Sequence, residues 1–422
     1  MSLPLDLQLY HWATRLSAPL TAWILGHRAK KGKEDPDRLN ERLGRAGEDR
    51  PTGTLVWLHA ASVGESLLAL ELVHRLSKIS DSHFLVTTGT TTSARLMAAR
   101  LPTHARHQYI PIDRPACVRR FLDQWTPDIA IFLESELWPN LLLEIKARRI
   151  PAVLANARMN SKSLRSWGRR RQAFACLLDT FHWIGAADDR TARGISELTG
   201  RQIDTIGNLK LQIKPAPVDS DKLEAIRTSL ESRPVWLAAS THDGEDEIIL
   251  AAHKMWLQQN PGGLLILVPR HPERADDIEH LIRSEGFMKC RRSQGEFPDG
   301  AVHVWLADTL GELPLWFAST KWTFIGGSLV ENIGGHNPVE ATQNGCSVMT
   351  GPFTASFDEV FAAYTNHNGV LQASNAREIA DALATDAAPC LINAQVALAN
   401  LTGEAMTETL AAITDLLPAE RI

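Results

Sequence analysis

The sequence predicts an α/β protein with two domains, each built around a doubly wound parallel sheet. Its 422 residues exceed what one hydrophobic core normally organises. From Thr54 onward, short apolar runs alternate with helix-period segments, which is the pattern of parallel strands joined by crossover helices. The alternation stops at the Pro-rich stretch 214–218, which we interpret as a linker, and then restarts. We therefore expect two Rossmann-like domains facing a central cleft.

In the first half, strands are predicted where a short apolar run is bounded by turn residues. These runs lie at 54–59, 83–88, 107–111, 128–134, 151–155, 182–186 and 203–207. Helices are predicted where apolar residues recur at helical spacing between these runs. The clearest of them lie at 65–78, 115–124 and 138–149.

The second half repeats the pattern. Its predicted strands lie near 234–239, 263–268, 301–305, 321–325 and 346–350. Its predicted helices lie near 244–259, 272–285, 310–318, 336–345 and 374–387. The whole chain is therefore expected to comprise an N-terminal helix with its lead-in at 1–50, domains at 51–213 and 214–400, and a C-terminal helix at 401–422.

Composition and charge narrow the functional classes. A hydrophobic content of 44% and a charged content of 22% are typical of a folded soluble protein. The five cysteines are scattered without a C-x-x-C pair, which favours a reducing compartment and predicts neither a zinc site nor a disulfide framework. Residues 1–210 carry 30 basic and 21 acidic side chains (+9), and residues 211–422 carry 14 and 28 (−14). The excess of basic side chains in residues 1–210 favours an anionic substrate or surface as partner. The alternative is that these charges are only solvated and have no partner.

The N-terminal segment is apolar but does not match a targeting signal. It has neither a basic n-region nor an A-x-A site, so no cleavable signal peptide is predicted. The stretch from Leu3 to Leu25 is interrupted by charged and histidine side chains and is not a clear membrane span. Its Leu, Tyr and Trp residues, followed by a basic cluster at 28–33, indicate an interfacial helix. The alternative is an amphipathic helix docked on the protein itself.

Several nucleotide-binding classes lack their motif here. The chain has no G-x-x-x-x-G-K-[ST] and no G-x-G-x-x-G after a strand, so neither a P-loop NTPase nor a dinucleotide-binding enzyme is predicted. Asp219 and Asp221 resemble a D-x-D metal motif, but their place before a predicted helix favours an N-cap. The basic half lacks interleaved aromatic residues, so nucleic-acid binding is not expected.

The turn after the first strand is the strongest candidate for chemistry. The apolar run ends at a cluster of small residues, and Glu65 then opens a helix. Ligands of open α/β sheets bind outside the carboxyl ends of the strands, and Gly64 permits close backbone approach there. A carboxylate at this turn could act as a base. The alternative is a helix-start glutamate favoured by the helix dipole.

A second pair of carboxylates follows the buried run 129–133. Glu134 and Glu136 come directly after it, and Pro139 suits the first turn of the next helix. These carboxylates could cap backbone N–H groups, or one of them could shape the electrostatics around a reacting sugar.

In the second half, three predicted strand ends carry residues that suit the binding of an anion. Arg270 follows the apolar run 265–269, and its planar guanidinium suits a phosphate. A glycine turn that would admit a phosphate or sugar follows the run ending at 325, and it consists of Gly326, Gly327 and Ser328. The segment 334–340 is predicted to open a helix, where Glu340 could accept hydrogen bonds from a ribose diol. Together these strand ends predict a nucleotide site.

These motifs, taken in order, resemble a known family. They are H-A-A-S-V-G-E at 59–65, L-E-S-E-L-W-P-N at 133–140, A-N-A-R at 155–158, G-N-L-K at 207–210, S-T-H-D-G-E at 240–245, V-P-R-H-P-E-R at 268–274, G-E-L at 311–313, G-G-S-L-V at 326–330 and G-G-H-N-P-V-E at 334–340. Over about residues 40–390, the chain resembles the 3-deoxy-D-manno-octulosonic acid (Kdo) transferases of lipid A and lipopolysaccharide biosynthesis.

The resemblance implies a B-type glycosyltransferase fold, with the acceptor domain at 51–213 and the donor domain at 214–400. It implies CMP-Kdo as donor and a tetra-acylated, bis-phosphorylated lipid A precursor as acceptor. Transfer is expected to invert the anomeric centre and to need neither a metal nor a cofactor. The N-terminal segment is expected to lie at the cytoplasmic leaflet of the bacterial inner membrane.

The resemblance also assigns roles to particular residues. Glu65 resembles the general base, and Glu134 and Lys210 resemble the pair that stabilises the transition state. The CMP-binding residues are expected to be Pro269, Arg270, Leu310, Gly311, Glu312, Asn337, Pro338, Val339 and Glu340. In the basic half, Arg158, Lys162 and Arg165 could meet the acceptor's phosphates, unless they form a solvated helix face.

Two other functions stay open at this point. One is a B-type glycosyltransferase that uses a UDP-sugar donor. The other is a catalytically silent scaffold that binds a sugar nucleotide.

Overall fold

The computed structural model describes residues 3–213, 215, 218–231 and 233–418, apart from the side chain of residue 22. The chain divides into two compact units, which we call unit 1 and unit 2. Unit 1 runs to Ile213 and takes up the chain again from Thr402, and unit 2 spans Lys214–Leu401. The predicted linker at 214–218 falls partly outside the described residues, as does the end of the predicted C-terminal helix at 401–422.

Unit 1 is built on a seven-stranded parallel sheet with the order β3-β2-β1-β4-β5-β6-β7. The strand order reverses between β1 and β4, and such a switch point is where open α/β sheets bind ligands. The strands are β1 Leu55–Ala60, β2 His83–Thr88, β3 Ala105–Tyr109, β4 Ile129–Leu133, β5 Ala152–Ala157, β6 Trp183–Ala186 and β7 Asp204–Thr205.

Helices cover both faces of this sheet, which is why its central strands are apolar throughout. Trp57 packs against Phe121 and Phe132 on one face, while Leu58 packs with Leu72 on the other. The helices are α1 Leu5–Leu16, α2 Ala18–Lys30, α3 Leu39–Arg42, α4 Val63–Leu76, α5 Thr91–Arg100, α6 Pro115–Trp125, α7 Pro139–Ala147, α8 Ser161–Gly168, α9 Arg171–Leu178 and α10 Asp189–Thr199.

Unit 2 repeats the architecture with the strand order β10-β11-β9-β8-β12-β13-β14, all parallel. Its strands are β8 Val235–Thr241, β9 Leu264–Pro269, β10 Lys289–Arg291, β11 Val304–Leu306, β12 Trp322–Ile325, β13 Ser347–Thr350 and β14 Val370–Gln372. The remaining helices are α11 Ser220–Leu230, α12 Asp246–Leu257, α13 Ala275–Ser284, α14 Leu313–Ser319, α15 Val339–Gln343, α16 Asp358–Asn366, α17 Ala376–Leu383, α18 Ala387–Thr402 and α19 Ala405–Thr414. The last of these helices, α19, belongs to unit 1, where it packs on β5.

The predicted strands and helices all have counterparts, most of them with bounds shifted by a few residues. Three larger differences are as follows. The edge strands β10 and β14 were not predicted, because they have three residues each and no apolar run. The strand predicted at 301–305 is shorter and lies at Val304–Leu306. The helix predicted at 336–345 begins only at Val339, because Gly334 and Gly335 have positive φ and keep the preceding segment out of helical geometry.

The N-terminal segment forms two helices, α1 and α2, and α1 docks on unit 1 through polar contacts. His11 Nδ1 lies 2.9 Å from Asn140 Oδ1, and Asn140 Nδ2 donates to Thr14 Oγ1 at 2.9 Å. Leu7 is buried in the core beside them. Within the described ranges, no single helix has the length and apolar character needed to cross a membrane. One pair, 376–383 with 387–414, meets those criteria only when both helices are taken together, and it is bent by 98°.

Candidate active site

Glu65 is held at the start of α4 by its own turn. Ser62 is the N-cap, and its Oγ lies 3.3 Å from the Glu65 N–H that it accepts. The same hydroxyl donates to Glu65 Oε1 at 2.6 Å, and the Ala61 N–H donates to Oε2 at 2.8 Å. This reciprocal arrangement resembles a capping box, except that the carboxylate accepts the N–H of the residue before the N-cap. It leaves Glu65 only 6% exposed and fixes its carboxylate just beyond the end of β1.

Glu134 and Lys210 form an ion pair at the same edge of the sheet. Glu134 directly follows β4, has a φ of +60°, and donates its N–H to Ala155 O. Lys210 lies in a short 3₁₀ turn, Leu209–Gln212, which Asn208 caps. The Lys210 ammonium pairs with Glu134 Oε1, and both side chains keep partial contact with solvent.

The turn that bears Glu65 adjoins this ion pair. A Cβ built on Gly64 would lie 3.3 Å from Lys210 Nζ. Because β1 and β4 are neighbours in the sheet, Glu134 follows a strand beside the one that leads to Glu65. The structure therefore brings the Glu65 turn, Glu134 and Lys210 together within unit 1, as parallel strand ends should.

His59 and Glu136, to which the sequence assigned no firm role, lie on the same strand ends, His59 on β1 and Glu136 two residues after Glu134. His59 is the penultimate residue of β1 and almost fully buried, with Nδ1 3.1 Å from Thr87 O and Nε2 3.6 Å from Glu136 Oε2. Trp138 Nε1 donates to Glu136 Oε2 at 2.8 Å. Burial would raise the pKa of Glu136, but the His59 and Trp138 contacts outweigh it and hold that pKa below its usual value. Glu136 is thus a fixed carboxylate. The histidine of the motif H-A-A-S-V-G-E is the one sequence signal for the contact between His59 and Glu136.

The predicted basic residues of unit 1 face solvent. Arg158 precedes α8, and its Nε lies 3.9 Å from Asp188 Oδ2, while Lys162 and Arg165 are exposed on α8. Arg165 lines a cavity of about 480 Å³ together with Arg190 and Arg193 of α10. The side chains on these two helices thus present several guanidinium groups on one surface.

In unit 2, Pro269 ends β9 and Arg270 follows it. The Arg270 N–H donates to Thr241 O at 3.0 Å. Its exposed guanidinium has no hydrogen bond or ion pair with any residue that the structure describes. The end of β9 thus presents an available cation.

Glu312, predicted to bind CMP, is paired within unit 2. Arg292 binds it through two hydrogen bonds of 3.0 and 2.9 Å, and the Thr309 hydroxyl also donates to it. The Arg292 hydrogen bonds, which outweigh desolvation, hold the pKa of Glu312 below its usual value. The neighbouring Leu310 is exposed, and Gly311 has a φ of +82°. Beside Glu312, the backbone of residues 310 and 311 is therefore the part that a ligand can reach.

The segment leading into α15 holds the other predicted donor contacts. Asn337 Oδ1 accepts the Val339 N–H at 3.0 Å, and Pro338 and Val339 are buried. Glu340 is half-buried, and burial raises the pKa of its carboxyl. Across the described ranges its carboxylate accepts no hydrogen bond. It is therefore available as an acceptor.

The glycine turn after β12 is occupied by a side chain that the sequence did not single out. Glu245 is fully buried and accepts the N–H groups of Gly327 (2.7 Å), Ser328 (2.9 Å) and Leu329 (2.8 Å). Gly326 donates its N–H to Ala239 O. The amides expected to face a donor phosphate therefore bind a carboxylate of unit 2 instead, because its two oxygens fill the concave nest of N–H groups.

Comparisons with known proteins agree on one family. Residues 37–213 match the family model described as 3-Deoxy-D-manno-octulosonic-acid transferase (kdotransferase). The chain is 36% identical over 371 residues to the 3-deoxy-D-manno-octulosonic acid transferase of Haemophilus influenzae, covering 86% of each chain. It is 33% identical over 378 residues to that of Rickettsia bellii, covering 89% of this chain and 90% of the relative.

Solved structures share the fold at low sequence identity. The UDP-GlcNAc 2-epimerase from Neisseria meningitidis bound to UDP-GlcNAc matches with a TM-score of 0.57 at 13% identity, covering 86% of this chain and all of that one. A glycosyltransferase from Rickettsia africae matches with a TM-score of 0.56 at 12% identity, covering 88% of this chain and all of that one. The predicted fold class, a B-type glycosyltransferase fold with two parallel-sheet α/β domains, is confirmed. With relatives more than 30% identical over most of both chains, the chain belongs to the 3-deoxy-D-manno-octulosonic acid (Kdo) transferase family.

Proposed function

We propose that the protein transfers Kdo from CMP-Kdo to a hydroxyl of the tetra-acylated, bis-phosphorylated lipid A precursor, inverting the anomeric centre without a metal ion. The observation that carries the mechanism lies in unit 1, where the Lys210–Glu134 ion pair adjoins the turn that fixes Glu65. A single displacement needs one base on the acceptor side and a fixed charge arrangement around the reacting carbon.

In this mechanism the Glu65 carboxylate takes the proton of the acceptor hydroxyl as its oxygen bonds to the anomeric carbon. The bond from that carbon to the CMP phosphate oxygen breaks, and its electron pair leaves on the phosphate. The anomeric carbon gains oxocarbenium character, which the Glu134 carboxylate stabilises, as carboxylates do in glycoside hydrolysis. Lys210 holds Glu134 in place and offsets negative charge nearby.

The donor nucleotide is assigned to unit 2. The guanidinium of Arg270 and the carboxylate of Glu340 have no partner among the residues that the structure describes. The first suits the phosphate, and the second suits the ribose hydroxyls. The exposed backbone at Leu310 and Gly311 suits the base or sugar edge. Further contacts are assigned to Pro269, Glu312, Asn337, Pro338 and Val339. Gly326, Gly327 and Ser328 would act indirectly, by keeping the loop after β12 bound to Glu245.

The acceptor is a bis-phosphorylated lipid, and two surfaces of unit 1 suit such a molecule. Arg158, Lys162 and Arg165 present exposed cations that match its phosphates. The N-terminal helices present the apolar surface that would lie on the inner leaflet of the inner membrane. We define the N-terminal stripe as Leu5, Leu9, Trp12, Leu16, Leu20 and Trp23, each more than half exposed.

The N-terminal stripe has the spacing of one helix face. Within α1 its members are four, three and four residues apart, while the opposite face docks on unit 1 through His11 and Thr14. An apolar face turned outward, followed by basic residues at 28–33, is typical of a helix that lies in an anionic lipid surface. This supports peripheral attachment at the cytoplasmic face.

Isothermal titration of the full chain with CMP and with UDP tests the donor assignment. We expect CMP to bind and UDP to bind at least about tenfold more weakly, a difference of about 1.4 kcal/mol. Tight UDP binding without CMP binding would favour a UDP-sugar transferase instead. CMP-Kdo binding without turnover on the lipid A precursor would indicate a silent scaffold.

A further inference from the structure

Three imidazoles gather at the carboxyl edge of the unit 2 sheet. His242 follows β8, His271 follows β9, and His336 lies in the loop after β12, and these three strands are neighbours in the sheet. The His242 ring centroid lies 5.6 Å from that of His271 and 5.0 Å from that of His336. Arg270, the unpaired cation at the end of β9, belongs to the same edge.

His242 and His336 share a direct hydrogen bond. Their Nε2 atoms are 2.8 Å apart, and their rings are nearly parallel, with an interplanar angle of 11°. An N···N hydrogen bond needs one protonated and one unprotonated nitrogen, so one proton lies between the two Nε2 atoms. The pair is therefore either neutral or singly charged, because a second charge would remove the acceptor and set two cations side by side.

The loop that carries His336 is fixed by the packing around it. A Cβ on Gly327 would lie 2.8 Å from Ile333 Cγ2 and 3.2 Å from the His336 ring, so both side chains pack closely against this glycine. The Gly335 N–H donates to Gly327 O at 2.7 Å, and Gly327 is in turn bound by Glu245. The backbone of His242 is fixed as well, since its amide N–H donates to Glu245 Oε2 at 2.9 Å.

Burial and the neighbouring cations disfavour protonation of the pair. Burial, then the neighbouring His242, Arg270 and His271, lower the pKa of His336 to about 4. Burial also lowers the pKa of His242, whose ionisable neighbours are Glu245, His271, Arg270 and Arg274. Glu245 is the only one of them that favours protonation, and Arg274 is itself paired with the carboxylates of Asp246 and Asp243.

We propose that the His242–His336 pair is the proton-accepting part of an anion site, and that a nucleotide phosphate binding beside Arg270 drives uptake of one proton onto the pair. This inference rests on the proposed donor site. A phosphate carries the opposite charge to the groups that now disfavour protonation, so it reverses the field at the two rings. The proton is then shared between the two Nε2 atoms, and the singly charged pair retains its hydrogen bond.

The sign of the resulting pH dependence follows from linkage. The bound state holds one more proton than the free state, so affinity is highest at low pH and falls as pH rises. For a full proton the dissociation constant rises about tenfold per pH unit over the range between the pKa of the free pair and the higher pKa of the bound pair, and it levels off above that range. A site built from arginines alone would show no such slope there, because arginine does not titrate in this range.

The test is isothermal titration of the full chain with CMP at about pH 7.5 in two buffers of different ionisation enthalpy, which counts protons taken up. We expect about one proton for the wild type, fewer than about half for His336→Gln, and the wild-type value for the control His280→Gln, whose imidazole is exposed on α13. Cytidine, which lacks the phosphate, should cause no uptake. The phosphate of CMP has a pKa of about 6, so at about pH 7.5 it is almost fully ionised, and binding beside a cation would make it release rather than take up a proton.

A second measurement uses only the wild-type protein, so it tests the inference even if His336→Gln does not fold. In ¹⁵N-histidine-labelled wild type, CMP should move one pair of imidazole Nε2 resonances toward the protonated position. Equal proton uptake in wild type and His336→Gln, or unmoved imidazole resonances on CMP binding, would overturn the inference and leave the donor assignment intact. Failure of the wild type to bind CMP at any pH would instead reject the proposed donor site, and the inference with it.

Discussion

Lys210 pairs with Glu134 across 76 positions of sequence, and its ammonium lies against Gly64, one residue before Glu65. The ion pair is partly exposed, with side-chain exposures of 27% and 19%. Both side chains thus keep some contact with solvent, which screens the pair. Because the pair lies beside the Glu65 turn, we propose that it serves the reaction.

Replacing Lys210 by Met should lower kcat by about 10²–10³-fold, because a fixed charge is lost and Glu134 is left without its partner. The thermal midpoint should change by only a few degrees, and CMP binding should persist. Lys146→Met is the matched control, since Lys146 forms an exposed pair with Asp179 elsewhere in unit 1. Equal kcat values for the two variants in a transfer assay would contradict a role for Lys210.

Glu65→Gln should reduce turnover by about 10²–10⁴-fold, which is the usual contribution of a general base. The amide oxygen can still accept one capping hydrogen bond, so the fold and the affinity for CMP should be retained. Glu71→Gln on the same helix removes an acid that pairs with Arg75 and serves as the control. Near-normal turnover of Glu65→Gln would mean that this carboxylate serves only as a helix cap.

Asp113 should make the stability of unit 1 depend on pH. It is buried, and burial raises its pKa to about 6, against the opposing effect of the N–H groups of Asn140 and Leu141. In the unfolded chain its pKa is about 3.9, so between these values the folded state binds more protons. The contribution of Asp113 to the free energy of unfolding therefore grows as pH falls from about 7 to about 4, by about 2–3 kcal/mol.

Urea unfolding across this pH range checks the prediction. Asp113→Asn should flatten the pH dependence, whereas Asp123→Asn, an exposed acid paired with Arg148, should leave it as in the wild type. The same slope in both variants would show that the titration belongs to other groups.

The N-terminal stripe should govern attachment to lipid. Changing Leu9 and Trp12 to Gln removes two exposed apolar side chains, each contributing up to about 1.5–3 kcal/mol when fully buried. Binding to vesicles with anionic headgroups should fall at least about tenfold, and wild-type binding should weaken with salt because of the basic flank. Changing the exposed Met255 and Met288 of unit 2 to Gln should leave partitioning unaltered. Co-sedimentation that is the same for both double variants would exclude the stripe as the attachment site.

Where sequence reasoning succeeded, the reason is local. The small residues before Glu65 predict a strand-to-helix turn, and the run before Glu134 predicts a buried strand, so both acids had to lie at strand ends. Parallel topology then places neighbouring strand ends together, as found for β1 and β4. The family resemblance added Lys210, whose short 3₁₀ turn has no pattern of its own.

Contacts between residues that lie far apart in the chain could not be predicted from the sequence. The contact of Glu245 with the amides of 327–329 spans more than eighty positions, and nothing in S-T-H-D-G-E predicts which backbone it will bind. The His242–His336 pair and the Arg292–Glu312 pair are hidden for the same reason. Such partners depend on loop paths that only the folded sheet determines.

The most direct test of the central claim is mass spectrometry of the lipid A precursor after incubation with CMP-Kdo and the full chain. We expect the precursor to gain mass by whole Kdo units with a chelator present, and we expect Glu65→Gln to abolish this gain. An unmodified precursor after incubation with folded wild-type protein that binds CMP would contradict the central claim.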